Sequence, residues 1–412
     1  MLPMFLRDRH LRRAVVLWGV FATAFAVRTE YYSYVGKQYD THTVYPQFAA
    51  ASRHWWADKS LYASYTLDEG IDGYRYSPTF AIAFTPFTKI HHGCGVVLWD
   101  LTSVILLVWA LRRARRDLLP GRWTTRWEGL FLSLALAGYA VGLWSGQSNA
   151  LVSALVLLAM SAIVRRRWWA AAWLLAVPVF IKLWPIAVVL LLLACWPRQL
   201  SLRFVAACLV LAAAPFTTRS FHTVLWQYHA WYASLTGPLQ GRWPGYRDAW
   251  TIWDQLWPPV NDRVYTVMQL GTAAAVLAWC LWQRRRLTRP GEAPHKLDAS
   301  PFLATGYLLM LTYAIWASWQ LLFGPGSEQL TYGILAPATS WALLVSFKEK
   351  KARWLTLPAW AMSALLASGD IEKRVLMVFS HGQILLPLSV VLFMAWLLWH
   401  ERGEWGATVE HH

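Results

Sequence analysis

One pattern constrains this chain more than any other. Long apolar runs follow one another, and short clusters of arginine or lysine separate them on alternate connections. Arg7, Arg9, Arg12 and Arg13 precede the first run. Arg112, Arg113, Arg115 and Arg116, then Arg165, Arg166 and Arg167, then Arg284, Arg285 and Arg286, then Lys348, Lys350 and Lys351 punctuate later ones. A backbone in lipid finds no water to bond, so each run must close its hydrogen bonds internally as helix. Basic clusters stay on the cytoplasmic side. The pattern predicts an all-α polytopic membrane protein, one integral membrane domain over residues 1–412. It sits in the plasma (cytoplasmic) membrane with both termini cytoplasmic.

Composition agrees. Hydrophobic residues make up 57% of the chain and charged ones 15%, against about 25% charged in soluble domains. The net charge of +16 could suggest nucleic acid, but clusters wedged between apolar runs form no basic face, so nucleic acid is excluded as a partner. Of the 29 tryptophans, many lie at the ends of the runs, as interfacial belts do, and core packing accounts for the rest. Cys94, Cys195, Cys208 and Cys280 show neither pairing nor metal spacing and read as small buried hydrophobes.

Read in order, residues 11–27 form a first span. It lacks a small-residue cleavage site and leads straight into Arg28-Thr29-Glu30, so it reads as a retained anchor. A polar, aromatic outer loop, 28–80, follows. Residues 78–90 are apolar but short and broken by Pro86, which suits a re-entrant segment better than a crossing. Residues 96–111 return inward, 127–144 go out, and 145–149 form a tight outer turn before 150–164. The run 168–196 is interrupted by Pro178, Lys182 and Pro185, which predicts two short helices meeting at Lys182. Residues 204–216 lead to a second outer loop, 217–261. Spans at 263–282, 301–323, 329–347, 354–368 and 375–399 complete about twelve, and the tail from 400 to 412 ends inside.

Polar positions at the outer end demand a reason. Asp40 could serve as a general base near the membrane surface, or cap a helix, since Thr41-His42-Thr43 follows it. Lys182 could meet a phosphate or snorkel from a helix end. Gln147 and Asn149 could hold sugar hydroxyls or satisfy helix ends. Arg75 offers a phosphate contact, and Tyr74 and Tyr76 offer stacking surfaces for a sugar. Arg242, Arg247 and Asp248 are generic candidates, Glu328 ranks below them, and Asp100, His381 and Asp370 are weaker. His91, His92, His411 and His412 lack a third ligand at metal spacing, so no metal site is expected. No phosphate-cradling glycine loop or dinucleotide fingerprint is present, and no cofactor is expected. An activated group must then arrive already in the membrane.

Five stretches in order carry a resemblance. They are Asp40 with Val44-Tyr45 and Ser60-Leu61-Tyr62; Tyr74-Arg75-Tyr76-Ser77-Pro78 with Pro86; Gly146-Gln147-Ser148-Asn149; Ile181-Lys182-Leu183-Trp184-Pro185; and Gly324-Pro325-Gly326-Ser327-Glu328-Gln329 with Leu335-Ala336-Pro337. Over residues 30 to 340 the chain resembles glycosyltransferase family 87, the polyprenol-phosphate-mannose-dependent mannosyltransferases of the GT-C fold. Gln329 stands where that family carries a histidine, and Ala57-Asp58-Lys59 replaces its usual glycine. The resemblance implies an inverting transfer of a hexose, expected to be mannose, from a polyprenyl-phosphate sugar to a hydroxyl of a lipid-linked or glycan acceptor. Its catalytic aspartate falls on Asp40, and Tyr45, Glu328 and Gln329 join the substrate-binding positions. The alternative is a secondary transporter or flippase, which would need an intramembrane charge pathway and internal repeats. Neither is evident.

Overall fold

The computed structural model describes residues 8–35, 44–62, 74–121, 123–236, 245–257, 261–288, 300–379 and 381–409. Asp40 lies outside the described residues. Among the described residues there is no strand, and a single antiparallel bridge joins Tyr246 to Glu328.

The helices are α1 (Arg9–Tyr34), α2 (Tyr45–Trp56), α3 (Pro78–Ala83), α4 (Thr85–Thr88), α5 (His92–Asp117), α6 (Thr125–Trp144), α7 (Asn149–Val164), α8 (Trp168–Ile181) and α9 (Ile186–Cys195). After these come α10 (Pro197–Ala213), α11 (Phe221–Thr236), α12 (Ala249–Leu256), α13 (Asp262–Thr288), α14 (Pro301–Phe323), α15 (Ala336–Glu349), α16 (Arg353–Leu365), α17 (Gly369–Val378) and α18 (Leu385–Val409). Among the described residues, eight segments are long and apolar enough to cross a membrane. Three shorter apolar helices, α7, α8 and α9, run beside them, and α16 returns the chain between α15 and α18. Eight such segments among the described residues are fewer than the about twelve spans expected from the sequence: the expected 168–196 run is two short helices, α8 and α9, and the expected 375–399 span is split between α17 and α18, while residues 78–90 form α3 and α4.

Side-chain contacts fix the two ends of the bundle. At one end the basic clusters meet buried carboxylates. Glu128 pairs with Arg112 at 2.8 Å and also with Arg115. Asp117 takes Arg165 at 2.7 Å and Arg113 at 3.1 Å. Isolated buried carboxylates would be costly, so each brings two arginines to one place and ties the ends of α5, α6 and α7 together. Nearby, Arg286 and Gln283 reach Glu401, closing α13 onto α18. Faces turned outward from the bundle are apolar: Leu202, Val205 and Leu209 on α10, and Val264, Val267 and Leu270 on α13, are exposed. Surfaces of that kind suit lipid.

The opposite end carries the short helices. Phe48 of α2 sits at the centre of an aromatic cluster, with its ring 4.8 Å from Tyr76, 5.2 Å from Phe80, 5.4 Å from Phe84 and 5.8 Å from Trp99. Most of these pairs are edge-to-face, the arrangement the ring quadrupoles favour. This cluster docks α2, α3 and α4 onto α5.

Close packing of α14 depends on a missing side chain. A Cβ built on Gly306 would lie 2.1 Å from the Asp117 carbonyl oxygen, which is backbone and cannot yield. Gly271 of α13 has open space around it. We therefore expect Gly306→Ala to lower the apparent unfolding temperature by several degrees in detergent. Gly271→Ala should leave it unchanged or raise it, since alanine exceeds glycine by about 1 kcal/mol in helix propensity.

Candidate active site

The Lys182 region is assembled by breaks in helices. Pro178 and Pro185 bracket the end of α8, and proline supplies no N–H to carry the helical ladder onward. Lys182 is extended there (φ −135°, ψ 141°), its N–H donating to the Pro178 carbonyl at 2.8 Å. Its ammonium donates to Asn149 Oδ1 at 2.8 Å and Gln147 Oε1 at 3.3 Å, and lies 5.7 Å from the Tyr76 ring centre. The side chain therefore turns inward onto fixed oxygens rather than snorkelling away. Two of its three N–H donors are taken by these oxygens, which leaves one.

The oxygens come from the 145–149 turn. Gly146 has φ +64°, a conformation that costs other residues strain and glycine none. The turn is pinned on three sides. Val44 N–H donates to Ser145 O at 3.0 Å, Trp99 Nε1 to Gly146 O at 2.9 Å, and Asn149 Nδ2 to Leu330 O at 2.9 Å. Gln147 and Asn149 are buried, so their carbonyl dipoles cannot rotate freely towards water.

Tyr76 is placed by its neighbours. Ser77 caps α3, accepting from Phe80 N–H at 3.1 Å and donating to Phe180 O at 2.5 Å. Tyr62 donates to Tyr76 O at 2.7 Å. Burial, then the nearby Glu328 charge, holds the Tyr76 phenol well above its ordinary pKa, so it acts as a neutral donor or a ring face. Desolvation pushes the Lys182 ammonium down to about 8, with Glu328 opposing the fall. Glu328 itself is exposed, at the mouth of the group.

Other expected residues fall elsewhere. Tyr45 is buried, its hydroxyl donating to Phe87 O at 2.7 Å. Tyr74 is buried and donates to Ser77 O at 3.2 Å. Both support the aromatic wall rather than lining open space. Arg75 is exposed, and its carbonyl accepts from Trp231 Nε1 at 3.1 Å. Asp248 caps α12 through a box with Thr251. Helix α2 begins after Val44, whose side chain makes no capping bond. A cavity of about 450 Å³ beside Asp58 and Arg219 contains none of the Lys182 group.

Sequence reasoning missed one feature. Arg247 Nε and Nη2 donate to Glu372 Oε1 and Oε2 at 2.6 and 3.0 Å, a buried two-pronged pair. Gln329 also donates to Glu372, and Tyr332 donates to Arg247 O at 2.7 Å. With Arg247 N–H on Ser327 O at 2.8 Å, this pair holds the segment that presents Glu328. Only Arg247 stood out in the sequence, because its partner lies over a hundred residues away on a short helix.

The model of glycosyltransferase family 87 matches residues 74–310. The matched stretch contains Tyr74, Arg75, Tyr76, Gln147, Asn149 and Lys182. No curated protein matches the chain.

Arg247 and Glu372 are 6% and 3% exposed, so removing one leaves an unpaired buried charge, at a cost of about 3 kcal/mol or more. Glu372→Ala is expected to destabilise by that amount in thermal unfolding. The double variant Arg247→Met with Glu372→Leu should recover much of the loss. Equal stability of Glu372→Ala and wild type would show that the pair holds nothing.

Proposed function

The chain belongs to glycosyltransferase family 87, and from that premise we propose that Lys182 receives the phosphate of a membrane-embedded polyprenyl-phosphate sugar. That the protein is a membrane glycosyltransferase follows from the family and its apolar helices, and the transporter alternative is set aside. The observation that supports the donor class is the Lys182 ammonium, seated on the Gln147 and Asn149 oxygens with one donor to spare. A fixed cation favours the leaving phosphate as its charge grows during bond cleavage. Arg75, exposed beside Tyr76, supplies a second cation at the mouth.

The reaction is a single in-line displacement. The acceptor hydroxyl oxygen attacks the anomeric carbon as its bond to the phosphate oxygen breaks, and polyprenyl phosphate departs with the electron pair. The hydroxyl proton passes to the Asp40 carboxylate, and the anomeric configuration inverts. Asp40 precedes Val44 by four residues, and Val44 is bonded to the turn that carries Gln147. The transferred sugar is a hexose, mannose by family resemblance, and the acceptor is a lipid-linked or glycan hydroxyl. Tyr76 offers the sugar a ring face, and Glu328 accepts from its hydroxyls. Positive-inside orientation puts the basic end in the cytoplasm and this group on the extracytoplasmic face.

The test is transfer from synthetic polyprenyl-phosphate mannose in proteoliposomes. Asp40→Asn should retain donor binding yet lose about a hundredfold or more in rate, the usual scale of a general base. Lys182→Ala should lose donor affinity. Unchanged turnover in Asp40→Asn moves the base elsewhere, with Glu328 next; wild type that binds no polyprenyl-phosphate hexose overturns the donor assignment.

The pH dependence has a definite sign. Lys182 is charged below about 8 and loses its proton as pH rises through that value, so kcat/KM for the donor should fall on the alkaline side. Lys182→Arg, always charged, should remove that limb even if it lowers the plateau.

A further inference from the structure

At the same end of the bundle, α1 finishes beside the start of α5. Glu30 lies near the end of α1, His91 caps α5, and Cys94 sits in its first turn. The Glu30 carboxylate, the His91 imidazole and the Cys94 sulfur all lie within 4.8 Å of one another on the surface. We propose that these three side chains form a binding site for a divalent transition metal, with zinc the ion their donor set suits.

Two donors on one tetrahedral zinc lie about 3.5 Å apart, so small rotamer changes bring this group to bonding distance. The mix of nitrogen, sulfur and oxygen points the same way, because magnesium and calcium take oxygen ligands whereas imidazole and thiolate select zinc-like ions. A carboxylate and a thiolate bring two negative charges, which match a divalent ion. His91 and Cys94 are three residues apart at a helix start and so share a face. Gly93 makes room between them: a Cβ there would lie 2.0 Å from Glu30 Oε1. Three protein ligands leave a fourth position for water.

None of the three belongs to the Lys182 group, so the site stands apart from the transfer reaction proposed above. Its effect is a clamp. Metal would fasten the end of α1 to α5 just where the chain enters the sequence that carries Asp40. The arrangement was invisible in the sequence because Glu30 lies in a different helix from His91 and Cys94.

The experiment is thiol labelling of the full-length protein with a maleimide, read at each cysteine by mass spectrometry with and without zinc chloride. Cys94 is exposed, while Cys195 and Cys280 are buried and Cys208 is half-buried, so the signal at Cys94 is distinct. Zinc should slow Cys94 labelling strongly, and magnesium should not. Glu30→Gln and His91→Ala should each weaken the zinc dependence by about tenfold or more. Elemental analysis should find zinc in the purified wild type and little in Cys94→Ser. Labelling that zinc does not slow in wild type overturns the site. Protection that persists undiminished in both variants also overturns it, since it would show a thiol binding metal without the other two ligands.

Discussion

An ammonium group among apolar helices must be given fixed oxygens, and the end of the bundle opposite the basic clusters is built around that requirement. Lys182 finds them on a turn from another part of the chain, at Gln147 and Asn149. The turn holds its shape because Gly146 tolerates a left-handed backbone and because Val44, Trp99 and Leu330 bond to it. Four distant segments thus converge on one cation. Proline breaks make the position available: a continuous helix through 182–185 would have carried the side chain around the cylinder, with no reason to face the turn.

The two ends of the bundle solve their polar problems differently. At the basic end, buried Asp117 and Glu128 each collect two arginines, which ties helix ends together while leaving the surface positive. At the other end, one buried ion pair, Arg247 with Glu372, braces the loop that presents Glu328, and the Lys182 ammonium rests on neutral amides. Neutral amides hold a cation without cancelling its charge. That difference accords with the donor-phosphate role proposed for Lys182, whereas the carboxylate partners at the basic end neutralise the arginines they hold.

Aromatic residues supply most of the remaining architecture at the end that carries Lys182. Tyr45, Tyr74 and Phe48 are buried in the wall around Tyr76, and their hydroxyls, where present, are bonded to backbone carbonyls. Tyrosines that looked alike in the sequence therefore separate into support and lining. Tyr76, beside Lys182 and Glu328, is the one whose ring and hydroxyl face the charged group.

What the sequence alone determined was the class of object. Apolar runs of helical length with basic clusters between them admit no other solution in lipid, because every backbone group must be bonded within its own segment. The same logic placed the break at Lys182 and the re-entrant pair α3 and α4, since proline acts locally. The residues that the fold gathers around Lys182 were largely legible in the sequence as unusual polar positions: Gln147, Asn149, Tyr76 and Glu328. Their partnerships were not. Whether a given carboxamide points at a lysine, whether Arg247 meets Glu372, and whether Glu30 approaches His91 and Cys94 depend on how helices far apart in sequence pack. Periodicity fixes which face of a helix is apolar, but only tertiary packing decides which residue of another helix that face will meet.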